Sequence, residues 1–326
     1  MSSRVSVHFR TFIAVVATTA FLVAPTGAGA ATIVNGDFET GNLTGWTQAN
    51  NPLGNGEWRV YSAASTAEIP VPPPPAGLYA AVTIQEFIGT RILYQDVTLE
   101  PFYSHRLSLI AYYRTDASLV TPIPNTLASG NAEGGPPENE QYRIDVIRPT
   151  APIDSVNPAD ILATLFATKT GDPKELAPTT FATDLTPFAG QTVRLRLAEV
   201  DNIGPLQAGV DSVSIQSALP SNAIALGKPV LNKKKGTANL PVTIPGAGTL
   251  KIADARVKGK KRVKAKTVQA TAAGTLKLPV KPTKYGRKAL VEKGKLKLKV
   301  AVTFTPIGGI AATQTRKLVL KLTLPK

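Results

Sequence analysis

Cysteine is absent from this 326-residue chain, and histidine, tryptophan and methionine are scarce, at two, two and one. Without cysteine there is no disulfide framework, no Cys-ligated zinc or iron–sulfur centre, no thiol nucleophile and no lipidated cysteine anchor. His8 falls in the first 30 residues, which read as a removable leader, so His105 would be the one histidine left. Two-histidine metal sites within one chain therefore drop out. A Ser-His-Asp triad would have to be built on His105, in Phe102-Tyr103-Ser104-His105-Arg106-Leu107 at the entry of an expected strand. A solvated or hydrogen-bonded strand histidine is expected there rather than a catalytic one. Also missing are a glycine-rich phosphate loop opening a helix and a Gly-x-Ser-x-Gly elbow. Paired carboxylates, as in a glycosidase or lyase, are the catalytic chemistry still available, but no spacing marks a pair. The chain is expected not to be an enzyme.

The leader is read from Arg4 and Arg10, the 13-residue apolar run Phe12 to Ala24, and Ala28-x-Ala30 before Ala31. This is the pattern of a secretory signal peptide. As a helix the run rises about 20 Å, short of the roughly 30 Å of a bilayer core. No later segment approaches that length without charges, so a secreted, extracellular protein without a transmembrane segment is expected. The C-terminal Leu322-Thr323-Leu324-Pro325-Lys326 carries no Leu-Pro-x-Thr-Gly sorting motif. Any attachment to a cell surface is expected to be non-covalent.

Charge divides the remainder. Residues 31–218 hold 10 Lys and Arg against 20 Asp and Glu, a net charge of −10. Residues 219–326 hold 25 Lys and Arg against two acids, Asp254 and Glu292, a net charge of +23. A seam is expected at Ala218-Leu219-Pro220-Ser221-Asn222, where a strand runs into breaking residues. Three parts follow: a leader over 1–30, an acidic domain over 31–218 and a basic domain over 219–326.

Both domains alternate apolar and polar residues with the period of a strand. The pattern is clean in Val193-Arg194-Leu195-Arg196-Leu197, Tyr142-Arg143-Ile144-Asp145-Val146 and Val210-Asp211-Ser212-Val213. Two insertions interrupt the acidic domain: the proline run 70–75, and the stretch 115–141, expected to be a long surface loop. In the basic domain, Gly236-Thr237-Ala238-Asn239-Leu240-Pro241-Val242 is echoed by Gly274-Thr275-Leu276-Lys277-Leu278-Pro279-Val280. Gly248-Thr249-Leu250-Lys251-Ile252 and Gly294-Lys295-Leu296-Lys297-Leu298-Lys299-Val300 are looser copies. Their alternation places cations on one face and the core on the other. The spacing predicts about six strands forming a small immunoglobulin-like sandwich, with a short helical turn over 284–293.

The opening Val34-Asn35-Gly36-Asp37-Phe38-Glu39-Thr40-Gly41-Asn42-Leu43-Thr44-Gly45-Trp46 resembles the start of galactose-binding-like β-sandwiches, common among carbohydrate-binding modules and exported bacterial proteins. Tyr94-Gln95-Asp96-Val97-Thr98-Leu99, Phe188-Ala189-Gly190-Gln191-Thr192-Val193-Arg194-Leu195 and Gly209-Val210-Asp211-Ser212-Val213-Ser214 resemble later strands of that family. The basic region resembles C-terminal β domains of exported actinobacterial proteins. The resemblance implies an all-β fold, a jelly-roll sandwich followed by the smaller one. It also implies a structural Ca²⁺ held by Glu39 and Asp211, with Asp37 nearby. Hard oxygen ligands suit that ion, although Glu39 capping a turn and Asp211 pairing with an arginine would account for the same residues.

Sugar binding needs aromatic faces and planar polar groups. Trp46 is expected in the core. Trp58 and Val60 would share one strand face and Arg59 and Tyr61 the other, the second being the better ligand face. Alternation turns Tyr112, Arg114, Arg143, Asp145, Arg194 and Arg196 outward. On adjacent strands they would form a polar face able to grip a glycan through bidentate arginine contacts, or a solvated face of cross-strand ion pairs. Asp201 and Asn202 lie in a turn at a loop edge and join the candidates. In the basic domain, Lys233-Lys234-Lys235 and the cations between Lys258 and Lys266 would attract any anionic polymer, or serve solubility and the protection of strand edges. With only Tyr285 and Phe304 as aromatics there, specific nucleic-acid recognition is not expected. The expected function is non-catalytic binding of a glycan or cell-wall polymer, with electrostatic attachment by the basic domain. The alternative is an adhesion-type scaffold without sugar binding.

Overall fold

A computed structural model describes residues 31–50, 56–64, 69–85, 88–130, 137–256 and 258–323. The leader with Ala28 and Ala30, and the terminal Pro325 and Lys326, lie outside the described residues. The regular structure of the described residues is antiparallel strand apart from one α-helix and a short 3-10 turn. The acidic part contains β1 (Thr47–Asn50), β2 (Gly56–Tyr61), β3 (Ala80–Gln85), β4 (Gly89–Thr98), β5 (Ser104–Thr115), β6 (Glu140–Ile147), β7 (Ile161–Ala167), β8 (Glu175–Asp184), β9 (Thr192–Asp201) and β10 (Leu206–Ala218). The basic part contains β11 (Ala225–Leu226), β12 (Val230–Asn232), β13 (Thr237–Ile244), β14 (Gly248–Asp254), β15 (Lys266–Ala270), β16 (Gly274–Val280), helix α1 (Lys284–Lys293), β17 (Lys295–Pro306) and β18 (Ala312–Lys321). No helix among the described residues is long and apolar enough to cross a membrane.

Two five-stranded sheets, β1-β4-β9-β6-β7 and β2-β3-β10-β5-β8, make the first sandwich. Their facing sides carry Trp58, Leu93, Leu107, Leu109, Tyr142, Ile144, Leu195, Leu197 and Val210, all buried in one apolar cluster. The period-two alternation thus sorts these strands as their sequences imply. Trp46 is also buried there, stacked on Phe38 at 5.6 Å with its indole N–H donating to Asn35 O.

The outer faces are covered as well. Over the second sheet, Val71 from the proline run packs against Val82 and Tyr112. Over the first, Leu127 packs on Ile92, Ala198 and Val200, joined by half-buried Ile153 and Val156. The described residues of the stretch 115–141 therefore do not simply lie on the surface as expected; Leu119 and Leu127 bury apolar area that a solvated loop would leave in water. Gly209 on β10 faces Tyr112, and a Cβ there would lie 2.0 Å from the tyrosine ring. Gly209→Ala is expected to cost about 1–3 kcal/mol or more by overpacking, read as a lower urea midpoint at unchanged m-value.

The basic part places β11, β13, β12 and β16 in one sheet and β15-β14-β17-β18 in another, around a second cluster that includes Leu240, Val242, Leu250, Ile252, Val300, Val302 and Phe304. Its described residues form eight strands where about six were expected, because β11 and β12 are too short to show a period. The sequence echoes become partners: β13 pairs with β16, setting Leu240 opposite Leu278, and β14 pairs with β17, setting Ile252 opposite Val302. The expected turn over 284–293 is a full helix. Thr283 caps it by accepting from Gly286 N at 3.1 Å, and Gly294 ends it at φ 63°.

Candidate functional site

The strand residues expected to contact sugar lie on the faces that alternation implies, but most are withdrawn from solvent, and Asp201 is the buried end of β9 and not part of a turn. Trp58 is buried in the core and donates its indole N–H to Arg91 O at 3.2 Å. Tyr112 is fully buried and Tyr61 half-buried under the proline run. Tyr61 Oη meets Pro72 O at 2.9 Å and also pairs with the Tyr112 hydroxyl. Burial pushes the Tyr61 phenol up to about 12 and Tyr112 further still, so both stay neutral donors. The exposed aromatic platform expected of a sugar site is not formed by these three side chains. The proline run occupies the face where a sugar would stack.

The outward polar residues of β6 and β9 do meet, beneath a loop rather than in water. Arg143 makes a two-pronged pair with Asp145, through Nε at 2.6 Å and a terminal nitrogen at 3.0 Å. Arg196 donates to the same carboxylate at 2.6 Å and to the carbonyls of Ile153 and Ser155 at 2.8 and 2.7 Å. Burial works against ionisation of Asp145, but the two guanidiniums hold its pKa below the usual value. Arg143 and Asp145 are therefore a structural ion cluster, corrected from ligand contacts because residues 153–156 close over them. Arg194 stays nearer the surface, bidentate to Asp96 at 2.6 and 2.9 Å and 4.5 Å from the Tyr94 ring centroid. Its fork is already occupied by a carboxylate. Arg59 is exposed and paired with Glu57, and Arg114 is half-buried.

Asp201 and Asn202 likewise hold structure. Asp201 Oδ1 accepts from Gly89 N at 3.0 Å and from Arg91 at 3.1 Å. Asn202 accepts from Asn139 N and donates to the carbonyls of Ser129 and Pro137. Around Asp201 lies a buried cluster of Arg91, Glu199 and Glu140, with Glu199 3.2 Å from Arg91. Burial raises all three acids, Glu199 well above normal, Asp201 to about 6 and Glu140 to about 8.

Glu39 and Asp211 both grip the loop before β3. Asp211 accepts from Ala76 N at 2.9 Å and from Ser212 N at 2.5 Å. Glu39 Oε1 accepts from Leu78 N at 2.8 Å and Tyr79 N at 3.0 Å, a backbone nest opened by Gly77 at φ 63°. Asp37 accepts from Glu39 N at 3.4 Å. The donors are hard oxygens of the type Ca²⁺ takes, and burial with the nearby Glu39 charge lifts Asp211 to about 6. Among the described residues no group of three or more His, Cys, Asp or Glu is placed to hold a metal, so further ligands would have to be backbone carbonyls or water.

The basic part contrasts with these satisfied networks. Its buried acid, Asp254, is consumed internally, accepting from the backbone of Arg256 and Arg262 and pairing with the Arg256 guanidinium. Although burial opposes ionisation, those donors hold Asp254 at about 2. Lys251, Lys295, Lys297, Lys299, Lys317 and Lys321 are exposed, and none makes an ion pair among the described residues.

No family model matches the chain, and no curated protein matches it. The adhesin domain of Epf from Streptococcus pyogenes is 12% identical at a TM-score of 0.31, covering 90% of this chain and 97% of that one. A Stig cyclase, Fisc, from Fischerella sp. TAU is 16% identical at 0.34, covering 59% and 99%. The enzymatically active domain of tailspike protein 4 from bacteriophage CBA120 is 12% identical at 0.34 over 57% of this chain, which spans only 21% of that domain. Likenesses of this size carry no inference about this chain.

The alternation alone could have exposed the buried acids. Glu199 and Asp201 continue the inward series Val193, Leu195, Leu197, and Glu140 continues Tyr142, Ile144, Val146. Of the two non-catalytic states expected for His105, the structure has the hydrogen-bonded one: it is buried, with Ser217 Oγ on one ring nitrogen at 2.8 Å and Glu100 O on the other at 2.9 Å.

Proposed function

We propose that the protein is an exported, non-catalytic surface-binding protein that adheres to anionic envelope polymers through its basic sandwich. The acidic sandwich, read as galactose-binding-like, would serve a glycan or protein partner, with Ca²⁺ at Glu39 and Asp211 bracing the loop before β3. One observation carries the proposal: 25 cations against two acids in residues 219–326, with no lysine in an ion pair among the described residues. Uncompensated positive charge lowers stability through self-repulsion and raises affinity for any polyanion.

The test is sedimentation of the purified chain with cell walls across a salt series. Binding should fall about 10³-fold between 50 and 200 mM salt if six or more anions are engaged. Salt-independent binding displaced by free sugar would instead place recognition in the acidic sandwich, and absence of sedimentation would reject surface binding. For calcium, the expected result is a melting temperature that rises with added Ca²⁺ and falls with chelator; an unchanged value would leave the two carboxylates as loop anchors only.

A further inference from the structure

The outer face of the sheet β15-β14-β17-β18 is more ordered than a general positive surface. Register sets Lys295 opposite Lys321, Lys297 opposite Val319 and Lys299 opposite Lys317, while Lys251 faces Thr303. Leu296, Leu298 and Val300 between those lysines point into the core. Beyond Lys299 the same face continues through Thr303 and Thr305 on β17 and Thr315 and Thr313 on β18, with Thr303 and Thr313 hydroxyls 2.7 Å apart. No acidic residue occupies a strand position on this face.

Edge protection does not account for this pattern. β17 lies inside its sheet, between β14 and β18, and carries three of the lysines. Like charges set directly opposite each other on neighbouring strands are destabilising, so the two facing lysine pairs cost stability in the free protein. An anion between them would remove that cost.

We propose that this face binds a linear polyol phosphate, a phosphodiester polymer joined through three carbons, lying along β17 with its charges in step with Lys295, Lys297 and Lys299. Same-face residues of a strand repeat every ~6.8 Å. Three bonds of an extended chain advance about 3.3–3.6 Å, so the six bonds from one such phosphorus to the next advance ~7 Å. The repeats match. The two lysine rows, about 4.8 Å apart, flank the phosphates, and the threonine rows offer hydroxyls to the polyol. A single-stranded nucleic acid has the same backbone count but needs stacking surfaces for its bases. The face offers none, since Phe304 is buried and Tyr285 belongs to α1.

The inference rests on the polyanion reading above, and the experiment separates the two. Affinity of the full exported chain for polyglycerol phosphate is measured across a salt series. The same is done for a face variant (Lys295→Gln, Lys297→Gln, Lys299→Gln) and for a loop variant of equal charge (Lys258→Gln, Lys260→Gln, Lys261→Gln). All six lysines are exposed, and thermal melts confirm that both variants fold. The face variant should lose at least about tenfold in affinity and about three from the slope of log K against log salt. The loop variant should change by less than about threefold. Equal losses in both variants would overturn the ladder and leave unspecific attraction standing. Equal or tighter binding of oligothymidylate or polygalacturonate would overturn the polyol phosphate assignment. No binding of any of the three polymers would overturn the polyanion reading itself.

Discussion

Asp145→Ala is expected to destabilise the chain by about 3–5 kcal/mol, because it leaves two arginines without their counter-ion under a loop. The carboxylate accepts from Arg143, Arg196 and Thr164, and Asp145 and Arg196 are fully buried. Removing it strands Arg196, whose own pKa burial already pulls down. The expected reading is a melting temperature lower by roughly 10 °C or more. Replacing the cluster together, with Arg143→Leu, Asp145→Leu and Arg196→Met, should recover much of that loss, since an apolar patch needs no partner. The recovery will be incomplete, because the carbonyls of Ile153 and Ser155 lose their donor. A single variant as stable as the parent would show that water reaches the cluster and that the loop 153–156 does not seal it.

That cluster also shows where sequence reasoning ran short. Arg143, Asp145 and Arg196 were correctly placed outward, and β6 and β9 are neighbours with Asp145 directly opposite Arg196. Period-two alternation reports only which residues share a face. It cannot report what covers that face, because the cover comes from loops distant in sequence whose apolar residues carry no period. Val71 sits among prolines, and Leu119 and Leu127 are isolated apolar residues in polar surroundings. Each is buried; Leu119 joins the main core, while Val71 on one face and Leu127 with Ile153 and Val156 on the other turn two apparent ligand faces into secondary cores. The all-β class, the strand positions and the helix over 284–293 were legible, since each rests on local pattern and capping residues. In the basic part the lysine face was legible too, because its lysines are exposed and the echoes in sequence are echoes in register. Its interior position in the sheet was not, as strand order depends on long-range pairing.

The buried acids around Arg91 should give the protein an inverted response to alkali. Glu140 is fully buried, with Thr115 donating to Oε1 at 2.9 Å and no partner on Oε2 among the described residues. Burial is the main cause that raises it from 4.5 to about 8, with the Asp201 charge adding to it. A carboxyl that holds its proton more tightly when folded stabilises the protein fully below its unfolded pKa, and that contribution is lost as pH rises through the folded value. Stability should therefore decline between about pH 4.5 and 8, by at most about 5 kcal/mol from Glu140 at 1.36 kcal/mol per unit. Asp201, raised to about 6, adds to the lower part of the same window. Asp145 acts in the opposite sense, since its depressed pKa gives stability that is lost as pH falls below the normal carboxylate range. The two limbs place the optimum at about pH 4, between the ordinary Asp and Glu values. Glu140→Gln keeps an acceptor for Thr115 and cannot ionise, so its melting temperature should fall less steeply than the parent's from pH 6 to 9, with the remaining decline due to Glu199 and Asp201, and exceed that of the parent at pH 9. The acid limb, set by Asp145 and Asp254, should be unchanged. If parent and variant melt in parallel across that range, Glu140 is ionised in the folded protein and water or an unseen cation reaches the end of the sandwich where Arg91 lies.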